Sequence, residues 1–154
     1  MRRHDKEIKD PLVIEDIVNR SELCRIGLVE DGMAYIVPLN YGYANGMIYM
    51  HSAPNGRKME ILKQNSRVSF EIEFSGEVVK KEEACRWTAK YRSVMGRGTV
   101  EIVSEPERKR FGMDIIMRKY GFEGEINYDD ASLSRMVILE LKIEAVQGKQ
   151  SGDW

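Results

Sequence analysis

Apolar and polar residues alternate most clearly at Val68, Phe70, Ile72 and Phe74, and again at Val137, Leu139, Leu141 and Ile143. A period of two marks a half-buried strand, so the pattern predicts strands over Arg67–Phe74 and Arg135–Val146. Three further strands, Cys24–Val29, Met33–Tyr41 and Met47–Ala53, are set off by turn signals. Glu30-Asp31-Gly32 and Ala44-Asn45-Gly46 carry Asp-Gly and Asn-Gly, the strongest short hairpin signals. Trp87–Val103 is a long extended stretch interrupted by Gly96 and Gly98. Helical patterns are fewer. Asp10-Pro11 opens one, with Asp as N-cap and Pro at the first position, and Leu12, Ile14, Ile17 and Val18 carry it to about Glu22. Arg57–Gln64 places Met59, Ile61 and Leu62 inward. Glu105-Pro106 starts another helix that runs to about Lys119 and ends at Gly121. The charged stretch from Ser75-Gly76 to Cys85 reads as a connection, and Phe122–Ser132 as irregular.

Strand–turn–strand at this pitch, with a few helices inserted, predicts a mainly β protein: an antiparallel barrel with flanking helices. Strict βαβ alternation is absent. So are GxGxxG and GxxxxGK[ST], which leaves no support for Rossmann or P-loop chemistry.

The length of 154 residues suits one domain over 1–154, with 1–10 as a polar N-terminal arm. A net charge of −1 argues against a dedicated nucleic-acid binder. No apolar run approaches the ~18–20 residues of a membrane span, and the charged N-terminus does not read as a secretory signal. Cys24 and Cys85 are too few for a disulfide framework, and with only His4 and His51 a zinc site lacks ligands. Two reduced thiols in a cytoplasmic protein is the expectation.

Three places depart from what stability alone would choose. Pro38 interrupts a strand and cannot donate to a ladder, so it belongs at an edge or bulge. It either protects that edge from aggregation or leaves backbone groups free for a planar heterocycle. Gly56-Arg57-Lys58 puts two cations in the first turn of a helix, where the macrodipole favours anions. They are either solvated surface charges or the counter-charges of a phosphate bound at the helix N-terminus. Arg92, Val94, Gly96 and Gly98 share one strand face; the glycines there mark a barrel bend or the close approach of a ligand. Period-two alternation sends His51 and Ser52 to opposite faces.

Tyr35-Ile-Val-Pro-Leu-Asn-Tyr-Gly-Tyr43, Ile48-Tyr-Met-His-Ser-Ala53, Gly56-Arg-Lys58, Trp87 with Tyr91-Arg-Ser-Val94, and Gly96-Arg-Gly98 together resemble the flavin-binding split-barrel proteins. These belong to the pyridoxamine 5′-phosphate oxidase-like superfamily, and the nearest branch is that of the 5-nitroimidazole-resistance, nitroimidazole reductase-like proteins. The charged start Arg2–Glu7 and the ending Gly148-Lys-Gln150 fit the same branch. The resemblance implies a six-stranded split β-barrel that forms a homodimer with FMN at the subunit interface. It implies that Val37, Pro38, Leu39, Asn40 and Tyr41 run along the isoalloxazine through backbone groups. His51, Ser52 and Lys58 then lie near the ribityl phosphate, with Arg92, Ser93 and Val94 nearby, and His51 has the catalytic role. The implied activity passes electrons from NAD(P)H or another donor to a small acceptor such as a nitroimidazole or quinone. Pyridoxamine phosphate oxidation itself fits less well, because the Arg-x-Val-Leu-Leu-Lys phosphate motif and the arginine-rich C-terminal motif are missing. Haem binding or degradation on the same barrel, and non-catalytic flavin binding, are the rival readings.

Overall fold

The computed structural model describes residues 3–154. Its strands are β1 (Glu7–Ile8), β2 (Leu23–Glu30), β3 (Met33–Ala44), β4 (Met47–Ser52), β5 (Arg67–Val79), β6 (Thr88–Val103) and β7 (Val137–Ser151). The helices are α1 (Pro11–Arg20), α2 (Arg57–Gln64), α3 (Pro106–Lys119) and α4 (Asp130–Ser134). The sheet order β7-β4-β3-β2-β5-β6, closed by β6–β7 pairing, makes a ring of six strands with β1 added outside. The pairings are antiparallel, so the chain folds as the expected six-stranded antiparallel barrel with flanking helices.

Local chemistry explains the hairpins. Asp31 and Gly32 have φ of 51° and 77°, and Asn45 and Gly46 have 52° and 76°. Positive φ at both central residues is what a primed two-residue turn requires, and Asp-Gly and Asn-Gly supply it at low cost. α1 begins as its sequence suggests: the Asp10 side chain accepts from the Leu12 N–H at 2.9 Å, and Pro11 needs no acceptor.

The core fills the ring. Cys24, Ile26, Tyr41, Ile48, Met50, Ile72, Val94, Leu139 and Leu141 are all fully buried. Burial leaves the Cys24 thiol pushed up to about 12, an inert core group. A second cluster of Tyr49, Val103, Met113, Ile116 and Ile138 lies outside the ring, under α3. β4 and the first half of β7 are therefore buried on both faces, which accounts for their near-continuous apolar runs. α3 comes close because Gly42 has no side chain: a Cβ there would stand 2.7 Å from the Ile115 backbone.

Three segments differ from the sequence reading. β5 continues to Val79 and pairs with the start of β6 as far as Val79↔Thr88, where a charged connection was expected from Ser75. That extension is largely exposed, so it carries no alternating signal, and ladder bonds rather than side-chain burial maintain it. β7 likewise runs past Val146 to Ser151, held between β6 and β1. α4 sits partly in the segment expected to be irregular, started by Asp129, whose side chain accepts from the Ser132 N–H at 2.8 Å. Met1 and Arg2 of the expected polar arm, and so the first residue of its charged motif, lie outside the described residues. Beyond them the arm docks: Ile8 is buried and Lys6 Nζ donates to Ser151 Oγ at 3.0 Å.

Candidate functional site

The barrel is open along one seam. β3 pairs with β2 from Met33 to Asn40, but with β4 only from Tyr41 to Ala44. The first two-thirds of β3 therefore has a ladder on one side and an unpaired edge on the other, and Pro38 lies in that stretch. The direction of its backbone groups follows from Tyr41. The Tyr41 N–H donates to the Tyr120 hydroxyl, which also donates to the Glu22 carbonyl at the start of β2, so the Tyr41 N–H faces β2. Successive residues of a strand point their N–H and C=O groups to opposite sides. Val37 and Leu39 are thus committed to the β2 ladder, and Ile36, Pro38 and Asn40 face the open seam. The edge presents the N–H groups of Ile36 and Asn40 with a donor gap at Pro38 between them.

The other wall of the seam is the end of β4 and the start of α2. Gly56 is the N-cap with φ 98° and offers no side-chain cap. Met59 and Glu60 donate to the Gly56 carbonyl, so the N–H groups of Arg57 and Lys58 have no intrahelical acceptor. The two cations of this turn have different fates. Arg57 pairs with Glu30 (Nε–Oε2 2.8 Å) and stacks 4.6 Å over the Tyr35 ring, which ties α2 to the β2–β3 hairpin. Among the described residues Lys58 has no carboxylate partner, and partial burial lowers its pKa. His51, on β4, keeps contact with solvent. Its pKa is lowered first by burial and then by the Lys58 charge, which reaches the imidazole. An uncapped helix N-terminus, an ammonium with no carboxylate partner among the described residues and an imidazole give this corner the chemistry an anion needs.

The remaining expected site residues are placed elsewhere. Tyr41 is a core residue: its side chain is fully buried and its hydroxyl donates to the Val18 carbonyl at 2.5 Å. Ser52 faces inward, opposite to His51, and its hydroxyl donates to the Ala53 carbonyl at 3.0 Å with Met59 Sδ 3.8 Å away. Val94 is in the core, with Ile72 opposite. Arg92 lies on the same inward phase as Val94, held by Gln150 Oε1 at 3.2 Å and stacked 4.7 Å over Trp154. Ser93 points the other way and is buried. Through β7 the two groups are offset along the strands, since His51 aligns with Ile138 and Val103 while Arg92 aligns with Gln150. Round the other side of the ring, Val94 aligns in turn with Ile72, Cys24 and Leu39, two residues from Tyr41, which aligns with Met50 beside His51. The glycines of this stretch have an internal cause. A Cβ on Gly98 would stand 2.1 Å from the Lys142 carbonyl oxygen, and one on Gly96 2.5 Å from that of Ala145, at the register shift between β6 and β7. They mark the bend.

Sequence reasoning missed Tyr120, which joins β2, β3 and α3 through one hydroxyl. Nothing local to Lys119-Tyr120-Gly121 marks it, since its partners are 79 to 98 residues away in the chain. It also missed a cleft of about 550 Å³ between α1, β3 and α3, lined by Tyr43, Phe111, Asp114, Ile115, Arg118 and Lys119. Among the described residues no helix is long and apolar enough to cross a membrane.

The family model described as pyridoxamine 5′-phosphate oxidase matches residues 10–150. The chain belongs to that family. It is similar in structure to a Bacteroides thetaiotaomicron protein described as a candidate 5-nitroimidazole antibiotic resistance protein. The two are 32% identical, with a TM-score of 0.84 over 94% of this chain and 86% of the other. The FAD and heme binding protein of Mycobacterium smegmatis has the same fold at 20% identity and a TM-score of 0.87, over 97% of this chain and 75% of that one. A flavocytochrome from Azotobacter vinelandii has it at 18% identity and 0.85, over 99% and 72%. In sequence, the chain is 31% identical over 58 residues to an uncharacterized Rhizobium meliloti protein, a match spanning 38% of the length of each.

Proposed function

We propose that this protein is an FMN-binding oxidoreductase, active as a cytoplasmic homodimer, that passes electrons from NAD(P)H or another donor to a small acceptor such as a nitroimidazole or quinone. The observation that carries the reading is the seam itself: a one-sided strand edge faces an uncapped, cationic helix N-terminus. A planar heterocycle bearing a phosphate needs both. When bound, the flavin supplies the reversible hydride and electron chemistry. The chain's own groups have separable tasks. The Arg57 and Lys58 N–H groups and the Lys58 ammonium hold the phosphate dianion. The Ile36 and Asn40 N–H groups orient the ring edge and aim fixed dipoles at it, where they favour negative charge at no reorganisation cost. His51, kept neutral at pH 7 by its lowered pKa, offers one ring nitrogen as a proton acceptor beside the seam.

The dimer is part of the reading. The outer barrel face leaves Met33, Ile36 and Met95 exposed around a hollow of about 500 Å³ that Gly27, Ile36, Phe70 and Met95 help to line. A second copy laid on this face buries it. In this reading Arg92 and Ser93 reach the ligand held by His51 and Lys58 from a second copy.

The test is the visible absorption spectrum of the purified protein, with the released chromophore identified by mass, followed by NAD(P)H oxidation with a nitroimidazole or a quinone. FMN near one per subunit supports the reading, and acceptor-dependent turnover supports the oxidoreductase. Haem moves the case to haem binding. A protein that neither carries nor takes up FMN ends the phosphate assignment of Lys58.

A further inference from the structure

Where β3 leaves β4, a side chain from outside the barrel meets its backbone. The Tyr120 hydroxyl, just beyond α3, lies 3.1 Å from Asn40 Nδ2 and 3.3 Å from the Tyr41 backbone nitrogen, and it donates to the Glu22 carbonyl. A phenol has one proton and two acceptor lone pairs. A carbonyl can only accept, so the proton goes to Glu22. Tyr41 N–H and the Asn40 side chain then occupy both lone pairs. The two ends of an asparagine amide usually resemble each other too closely to be told apart. Here only one orientation works: Nδ2, the donor, must face Tyr120. Oδ1 therefore faces away from the phenol, with no hydrogen-bond partner among the described residues. Asn40 is also the residue whose backbone N–H faces the open seam.

We infer that Tyr120 is a positioning residue: by fixing the amide of Asn40 it turns Oδ1 into a hydrogen-bond acceptor at the seam, next to the backbone N–H donor of the same residue. This rests on the flavin reading and narrows it. An oxidised isoalloxazine carries a single N–H, the imide at N3, flanked by two carbonyls. One residue that offers an acceptor and a donor side by side matches an imide N–H and its neighbouring carbonyl. Asn40 therefore selects the pyrimidine edge of the ring, and Tyr120 sets the polarity of that selection.

Protein freed of bound flavin is titrated with FMN and with 3-methyl-FMN, which lacks the imide proton, and binding is followed by flavin fluorescence. The wild type prefers FMN by about tenfold, the discrimination expected from one hydrogen bond. Asn40→Ala removes the preference and keeps the Tyr120 bonds to Tyr41 and Glu22, so its melting temperature stays near that of the wild type. Tyr120→Phe leaves the amide free to turn, and the preference falls to within about threefold. Combining the two substitutions lowers the preference no further than Asn40→Ala alone. A merely structural Tyr120 weakens both flavins equally and leaves the ratio unchanged; that result overturns the inference. So does an unchanged ratio in Asn40→Ala, which holds even where Tyr120→Phe fails to fold. Equal binding of the two flavins by the wild type overturns the role of Asn40 alone, whereas binding of neither overturns the flavin reading and this inference with it.

Discussion

Two stretches of this chain break ordinary rules in similar ways, and the structure resolves them differently. Gly56-Arg57-Lys58 puts cations where a helix prefers anions, and Arg92–Gly98 puts glycines and an arginine on the inward face of a long strand. In the strand, the chain itself supplies the reason. Gly96 and Gly98 lie against main-chain carbonyls of β7 at the bend, and Arg92 is held by Gln150 and Trp154. In the helix turn, only half of the anomaly is absorbed. Arg57 has Glu30 and Tyr35; Lys58 has no carboxylate partner among the described residues, and the first N–H groups of the helix have no side-chain cap. An irregular residue points to a ligand when folding leaves its chemistry unspent. That distinction is invisible in the sequence, where each stretch reads either as a ligand contact or as an ordinary feature of the fold.

The largest expected effect lies in the strand. Gly98→Ala forces a Cβ to 2.1 Å from a backbone oxygen, a contact that cannot relax by rotating a side chain. It costs more than ~3 kcal/mol or prevents folding. Gly56→Ala meets no atom within 4 Å, and its cost is the strain of a non-glycine residue at φ 98°. That is about 1–3 kcal/mol, and the protein still folds. Urea unfolding of the two variants measures the contrast. Equal losses break the comparison.

Binding should reverse that order. Lys58→Ala removes a partly buried ammonium with no carboxylate partner among the described residues, so the fold keeps its stability while affinity for FMN falls about tenfold or more, the scale of one charge-assisted hydrogen bond. Arg92→Ala loses the stacking on Trp154, roughly 0.5–1 kcal/mol at a partly exposed site. If the dimer delivers Arg92 to the phosphate, its flavin affinity falls only under conditions where the protein is dimeric. Sedimentation alongside the FMN titration checks this. Loss of flavin from monomeric Arg92→Ala with full retention in Lys58→Ala inverts the assignment.

Much of the fold could be read in advance because its signals are local. Asp-Gly and Asn-Gly fix two hairpins, Asp10-Pro11 starts α1, and alternation marks β5 and β7 where one face is buried. The parts that escaped lack a local signature. The outer half of β5 and the end of β7 are polar throughout and exist because a neighbouring strand is there to pair with. Some features of the candidate site were local too. Pro38 pointed to an edge or bulge, and Gly56-Arg57-Lys58 to cations in the first turn of a helix, both from the chemistry of a few residues. Which of Val37–Tyr41 face that edge follows from the Asp31-Gly32 turn, which pairs Glu30 with Met33 and turns every second residue of β3 toward β2. The sequence could not show that Ser52 and Tyr41 turn inward, or that Gln150 and Trp154 hold Arg92.

The smallest effect concerns His51, and it sharpens the contrast by titration. Burial and Lys58 lower its pKa below 6.5 in the folded chain, so the unfolded chain binds more protons as the pH falls through that value. Stability then rises with pH in this window and is lost as the solution is acidified. His51→Asn flattens the slope and leaves the stability at pH 8 unchanged. Because the ring keeps contact with solvent, the change in slope is small and needs melting temperatures taken at closely spaced pH. Inorganic phosphate gives the decisive arm. An anion bound beside Lys58 offsets the charge that holds the imidazole neutral, so the His51 pKa should climb on adding phosphate, followed by the shift of its ring proton resonances. Lys58→Ala should raise the pKa without phosphate and remove most of the response to it. A His51 resonance indifferent to both phosphate and Lys58 would mean that the corner between β4 and α2 holds no anion. The cations of that turn would then be no more than the surface charges that Arg57 already is.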